Sequence, residues 1–439
     1  MKKLIVFTGL IIPLFLFNSC KKIDFGNHHG DDDKKAINAK LATDWYKLQL
    51  RILLERNSAL NGVYFGYIGI ALYESVRNMD EGAASLSSKL YQMPAMPSKE
   101  RNKKYSWPVS ANAAMAKVVR SYYTGLTNAN IASIDSLENL YNSVLKTTIS
   151  EEVFERSQIF GRNIATTIYN WSLTDNFNPS NVGYVPPVFE GSWQPTPPAF
   201  ANGIQPYLSS ARPFLASNLN NTAPLFPNAY SETTGSSFNK MVKEVYEASL
   251  ALTTEQKNTA LFWVDQGNGV GYTPPGHDMS IVTQAIEKKM ANLLVAAETY
   301  AKAGIAERDA IIVCFKSKYT YNLLRPVTYI RKMFDPTWLS FIPTPPHPEY
   351  PAAHALVTGS VMQAASKVLG TNLSFTDTTY NFRGWPSRTY SNLFKAGEEA
   401  GISRFYGGIH YLPSINIGLA IGKELGNRVG DLDLGDNDD

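Results

Sequence analysis

The chain has 439 residues, enough for one large domain or two ordinary ones, and it can bury a substantial core without disulfide or metal staples. Hydrophobic residues make up 44% and charged residues 18%, which excludes a disordered chain and one wholly embedded in a membrane. A formal charge of +3 over this length gives no overall field to attract nucleic acid, so any cationic site must be local.

The N-terminus reads as an export signal: Lys2 and Lys3, an apolar run from Leu4 to Phe17, then Asn18-Ser19-Cys20. A small residue followed by Cys resembles a bacterial lipoprotein signal, which implies cleavage and lipidation at Cys20; a plain secretory signal is the alternative. The run is shorter than the roughly 20 residues a bilayer requires, so membrane contact is expected through the lipid alone. The implied location is the periplasmic side of a bacterial membrane or the cell surface. Residues 21–35 read as a flexible tether, residues 36–430 as a single helical domain, and residues 431–439 as an acidic tail. Besides Cys20 the chain has one cysteine, Cys314, which lies in an apolar run and reads as a buried small hydrophobe.

From residue 36 onward apolar residues recur at helical spacing. Helices are predicted from about Ala36 to Arg56, over 64–79, 111–126, 128–144, 151–171, 237–250, 254–264 and 280–304, and from Ala306 toward Arg325. Alternating strand patterns are scarce, so the fold class is mainly α with little or no sheet. Residues 172–236 are rich in Pro, Asn, Gly and Ser. A structureless run of that length is usually a lid or binding loop, or it covers helices.

Three segments near the C-terminus carry the chemistry. In the first, Lys318 and Arg325-Pro326 are seven residues apart. At about 100° per residue both cations share one helical face, roughly 10 Å apart along the axis. The second is His347-Pro-Glu349-Tyr-Pro351-Ala352-Ala353-His354, where a Pro-rich approach leads into an apolar helix. Free amides at such a helix start favour an anion, and a His there can move a proton near neutral pH. The third is Ser403-Arg404, a Gly407-Gly408 bend, then His410, which the bend lets point back beside Arg404. Each alone reads as an ordinary basic face or helix end. Together they gather one Lys, two Arg and two His around a space for an oxyanion, with Glu349 the single carboxylate in the three motifs.

Lys-(x)6-Arg-Pro, Pro-x-x-His and Ser-Arg-(x)5-His resemble the signature of vanadium-dependent haloperoxidases and type 2 phosphatidic acid phosphatases. Phe262-Trp263, Thr273-Pro-Pro-Gly-His277, the stretch from Ile342 to Tyr350 and Ala71-Leu-Tyr-Glu-Ser are similar to the soluble haloperoxidase branch. The resemblance implies a helical-bundle fold, a vanadate cofactor (or phosphate in the same pocket), and hydrogen peroxide with a halide as substrates. It implies that His410 bonds vanadium, or attacks phosphorus in a phosphatase, and that His354 is the acid–base partner. Lys318, Arg325 and Arg404 would neutralise the equatorial oxygens. Phe315 and His347 fall where the family places side chains near the halide, and Asp265 is a candidate to orient one of the pocket's His or Arg side chains from behind. His277 either lines the pocket or hydrogen-bonds within its own turn. The family's Pro-Ser-Gly-His is here Pro351-Ala352-Ala353-His354, which removes a hydroxyl from the oxyanion, a loss of about 1–3 kcal/mol where the bound group is charged. The alternatives are an acid phosphatase acting on a phosphate monoester through a phosphohistidine, and a lipoprotein that binds phosphate without turnover; a homo-oligomer is possible in either case.

Overall fold

The computed structural model describes residues 38–56, 63–265 and 271–435. Cys20, the tether and the last four residues of the acidic tail lie outside the described residues. The helices are α1 (Lys40–Glu55), α2 (Phe65–Val76), α3 (Trp107–Tyr122), α4 (Asn128–Lys146), α5 (Glu151–Ser172), α6 (Ser237–Leu250), α7 (Thr254–Phe262), α8 (Pro274–Lys289), α9 (Leu293–Tyr321), α10 (Pro326–Met333), α11 (Ala353–Leu369), α12 (Leu393–Tyr406) and α13 (Leu412–Gly430). A small antiparallel ribbon, β1 (Phe375–Asp377) with β2 (Arg388–Tyr390), pairs Phe375 with Tyr390 and Asp377 with Arg388. The molecule is mainly α. Among the described residues no helix is long and apolar enough to cross a membrane.

Helix α9 organises the fold. It packs against α2 and α11 and also touches α1, α8 and α13. Every residue of α2 is buried, as suits a helix apolar on all sides. The two axes approach at glycines: a Cβ on Gly304 would lie 2.7 Å from Gly66 Cα. On the other side, α11 packs against α13, and Gly418, Gly422, Gly426 and Gly430 of α13 lie where α11 backbone or the Lys367 stem passes.

Two boundaries differ from the sequence reading. The helix predicted over 280–304 is broken at Met290, which caps α8 in a left-handed conformation (φ 54°). Asn292 then starts α9, accepting from Val295 N, and α9 runs straight through Gly304 because that glycine serves close packing. Second, α9 stops at Tyr321, with Asn322 turned left-handed (φ 45°). Arg325 is therefore the residue before α10, and Lys318 and Arg325 do not share a helical face. The β1–β2 ribbon is in keeping with the expected little or no sheet; its three-residue strands are too short to show alternation.

Residues 173–236 are irregular but packed, with Trp193, Leu208 and Phe214 buried. The buried carboxylate of Asp309 on α9 accepts from Phe214 N, Leu215 N and Asn218 Nδ2 at 2.6–2.9 Å. The earlier part of the segment pairs with the chain around the site: Trp193 N donates to Asn322 O, Leu324 N to Gly191 O and Ile204 N to Pro346 O.

Candidate active site

Five helices and the Pro-rich segment before α11 meet at the C-terminal half of the molecule. Lys318 comes from the last turn of α9, Arg325 from the start of α10, His354 from the first turn of α11, Arg404 from the last turn of α12, and His410 from the turn before α13. All five are essentially buried, His354 being the most open with 13% of its side chain exposed.

His410 is fixed from both sides. Its Nδ1 lies 2.7 Å from Glu349 Oε1, which also accepts from Tyr411 N at 3.1 Å. Arg325 Nη1 donates to His410 Nε2 at 3.1 Å and to Ile409 O at 2.9 Å. Burial, with Arg325 and Lys318 nearby, pushes the ring well below the usual imidazole range. It is therefore neutral, with the proton on Nδ1 toward Glu349 and the lone pair on Nε2. Glu349 itself is raised to about 7 by burial, against the pull of Lys318 and Arg325. The sequence reading counted Glu349 as a lone carboxylate among cations; its partnership with His410 depends on a fold contact between residues 61 apart. His410 stands against Arg325 and Glu349, and no hydrogen bond joins it to Arg404.

Arg325 also donates through Nε to His347 O at 2.9 Å and through Nη2 to His347 Nδ1 at 3.0 Å. That orients His347, whose ring lies 5.4 Å from Phe315. These two predicted neighbours do come together beside Arg325. Burial and the adjacent cations push His347 well below its usual range, so it accepts from Arg325 as a neutral ring.

Lys318 differs in detail from the sequence expectation. Its Nζ donates to Pro348 O, Glu349 O and Pro351 O at 2.9, 2.8 and 2.6 Å. All three N–H bonds hold the segment that delivers Glu349 and His354, so here Lys318 serves as a clamp and a point charge. Burial, reinforced by Arg325, pushes it down to about 7. Cys314 is buried nearby with its thiol facing Pro351 O at 3.9 Å, in keeping with a packing role.

Arg404 donates through Nη1 to Trp263 O at 2.6 Å and to His354 Nε2 at 2.9 Å. Its Nε and Nη2 are buried with no acceptor. Burial lowers Arg404 and Arg325 only to about 10 each, so both remain charged at neutral pH. Burial and Arg404 together lower His354 to about 4. Asp265 Oδ2 lies 3.5 Å from His354 Nε2. His277 does not line the pocket. It is fully buried on α8 between Asp265 and Asp377.

Ala352 precedes α11, buried against Ala355 and Ile415, and supplies no side-chain cap. The first amides of a helix have no carbonyl one turn back, so the α11 start keeps donors to offer. The unsatisfied buried donors of Arg404, a helix start and a neutral imidazole with its lone pair on Nε2, now taken by Arg325 Nη1, fit a tetrahedral or trigonal-bipyramidal oxyanion such as vanadate or phosphate.

The family model described as "VCPO second helical-bundle domain" matches residues 298–433, the part that carries all five groups. A solved structure described as the first bacterial vanadium-dependent iodoperoxidase is 30% identical, covering 90% of this chain and 96% of that one, with a TM-score of 0.79. A bacterial vanadium-dependent chloroperoxidase in its holo form is 18% identical, covering 84% of this chain and 90% of that one, with a TM-score of 0.62; its apo form gives 0.59 at 18% identity. Those two show the shared fold alone. No curated protein sequence matches the chain. Identity and coverage with the iodoperoxidase, together with the matched helical domain, place the chain in the vanadium haloperoxidase superfamily, whose members among these structures are oxidoreductase enzymes.

Proposed function

We propose that the protein is a haloperoxidase that holds vanadate in this pocket and uses hydrogen peroxide to oxidise a halide. The observation that carries the reading is the pairing of His410, neutral and braced by Glu349, with the buried, acceptor-free Nε and Nη2 of Arg404. Bound vanadate would supply the Lewis-acid centre that activates hydrogen peroxide toward the halide. His410 would offer Nε2 to it once Arg325 Nη1, which now donates to that nitrogen, turns to an oxygen, and Glu349 fixes the tautomer that puts the lone pair there. Arg325 and Arg404 hold negative oxygens with fixed charge, while Lys318 adds charge and anchors the segment between them. His354 is the group placed to accept or return a proton. His347 and Phe315 border the pocket beside Arg325 and are the side chains we assign to the halide.

Iodide is the halide to test first, since it is the most easily oxidised and the 30%-identical structure is that of an iodoperoxidase. The purified protein, reconstituted with orthovanadate, is expected to halogenate a dimedone-type acceptor with hydrogen peroxide and iodide, and to lose this activity in His410→Ala. Silence with both iodide and bromide would sink the reading. A phosphatase reading rests on the same neutral, carboxylate-braced His410, which also suits attack on phosphorus. Turnover of p-nitrophenyl phosphate, blocked by vanadate, would select it. We further propose export and lipidation at Cys20, supported by the lipoprotein-like segment before it. Cys20→Ser should abolish palmitate labelling in cells and release the protein from membranes.

A further inference from the structure

Behind the pocket lies a line of four ionisable side chains: Asp377, His277, Asp265 and His354. His277 Nδ1 is 2.9 Å from Asp265 Oδ1, and His277 Nε2 is 2.9 Å from Asp377 Oδ2. A ring whose two nitrogens both meet carboxylates carries both protons. Burial alone would lower its pKa, but the two carboxylates overcome that and raise it to about 10. Trp263 stacks over the ring at 4.4 Å and holds it in place.

Asp265 is consequently tied down through one oxygen. Its Oδ1 accepts hydrogen bonds from His277 Nδ1 at 2.9 Å and from Tyr380 Oη at 2.5 Å. Its Oδ2 is buried and has no hydrogen-bond donor, yet lies 3.5 Å from His354 Nε2. The backbone at Asp265 is left-handed (φ 46°), a conformation that a non-glycine residue keeps only when its surroundings impose it. The charged and titratable groups facing Asp265 are His277 and Asp278 from α8, His354 from α11, Arg404 from α12, and Asp377 and Tyr380 from β1 and the turn after it. Burial favours a neutral Asp265, but the charged His277 outweighs it and holds the carboxyl well below the usual range.

Two partners of opposite character thus compete for one nitrogen. Arg404 Nη1 can only donate to His354 Nε2 and holds it now at 2.9 Å; Asp265 Oδ2 can only accept. With Arg404 in possession, the neutral ring carries its proton on Nδ1, the nitrogen with no protein partner. A guanidinium is a rigid fork, so turning Nε and Nη2 onto an oxyanion moves Nη1 with them. We propose that His277 is a positioning residue for the acid–base step: locked between Asp265 and Asp377, it keeps Asp265 charged and aimed so that, once an oxyanion engages Arg404, His354 carries a proton on Nε2 and presents Nδ1 as the base. The exchange balances through water, Nδ1 releasing one proton and Nε2 taking one up. The Nδ1 lone pair then accepts the proton that hydrogen peroxide loses. The inference rests on the oxyanion-site reading above.

The test uses full-length protein with 15N-labelled histidine, and inorganic phosphate as the probe, so that no halide oxidation is required. In the wild type, His354 is expected to shift from the Nδ1-protonated to the Nε2-protonated form when phosphate is added. In His277→Gln, phosphate should still bind while this conversion is lost, because the uncompensated buried Asp265 becomes neutral. If His277→Gln does not fold, Asp265→Asn removes the same charge directly and should give the same loss. Conversion in either folded variant as complete as in the wild type would overturn the proposal, as would a wild-type ring that does not respond to phosphate. A protein that shows the conversion but oxidises no halide would instead count against the proposed reaction, so the two failures are separable.

Discussion

At the scale of single residues, fixed partners set the orientation of each cation and imidazole around the pocket, and of these groups Arg404 keeps buried donors, Nε and Nη2, with no acceptor. Glu349 shows this most directly: its Oε1 accepts from both His410 and Tyr411 N, so ring and backbone are set by one carboxylate. A residue that orients a ligand through its far nitrogen typically contributes 10–100-fold to affinity. Glu349→Gln keeps an acceptor at that position but loses the charge. Vanadate affinity, measured by calorimetry, is expected to fall by about tenfold or more, with the fold's unfolding midpoint changed far less. Unchanged affinity would mean that Glu349 serves only to pack the segment before α11.

At the scale of elements, the site depends on how closely α13 lets α11 approach, because α11 carries His354. A Cβ added at Gly422 would overlap the Leu356 carbonyl oxygen, and helix backbones do not yield easily at such a crossing. Gly422→Ala is expected to destabilise the protein by about 1–3 kcal/mol in urea unfolding. Because it displaces α11, it should also weaken phosphate binding although Gly422 touches no anion. The helices and the segments that bring Lys318, Arg325, His354, Arg404 and His410 together were legible in the sequence, since helical periodicity and cation-bearing motifs are local patterns. The places where the reading departs from the structure are those set by non-local contacts. Lys318 and Arg325 appeared to share a face because nothing local announces the left-handed turn at Asn322, whose carbonyl instead meets Trp193 N from the long loop. Likewise the bracketing of His277 by Asp265 and Asp377 spans 12 and 100 residues, distances over which no spacing rule operates.

For the molecule as a whole, gathering Lys318, Arg325 and Arg404 out of water is costly, and an oxyanion offsets the cost only when bound. The folded state should therefore be stabilised by phosphate or vanadate through mass action, by about 2.7 kcal/mol at a hundredfold excess over Kd. The dependence on pH follows from Lys318. Its folded pKa is lowered to about 7 from an ordinary value of 10.5, so between those values the unfolded chain holds more protons than the folded one. Without an anion, this residue's penalty on stability is full below pH 7 and fades as pH rises toward 10.5. A bound anion reverses the balance by favouring the ammonium, so binding takes up a proton at Lys318 once pH exceeds about 7. Sulfate, whose own charge stays constant over this range, is the clean probe. Its affinity is expected to be level near pH 6 and to fall from pH 7 to 9, by at most about tenfold per unit for one linked proton. Calorimetry in buffers of different ionisation enthalpy should register the proton uptake at pH 8, and Lys318→Met should bind more weakly and with a shallower slope, Glu349, itself raised to about 7, supplying what remains. An affinity flat from pH 6 to 9 in the wild type would show that Lys318 keeps its proton without the anion, held by the carbonyls of Pro348, Glu349 and Pro351 alone.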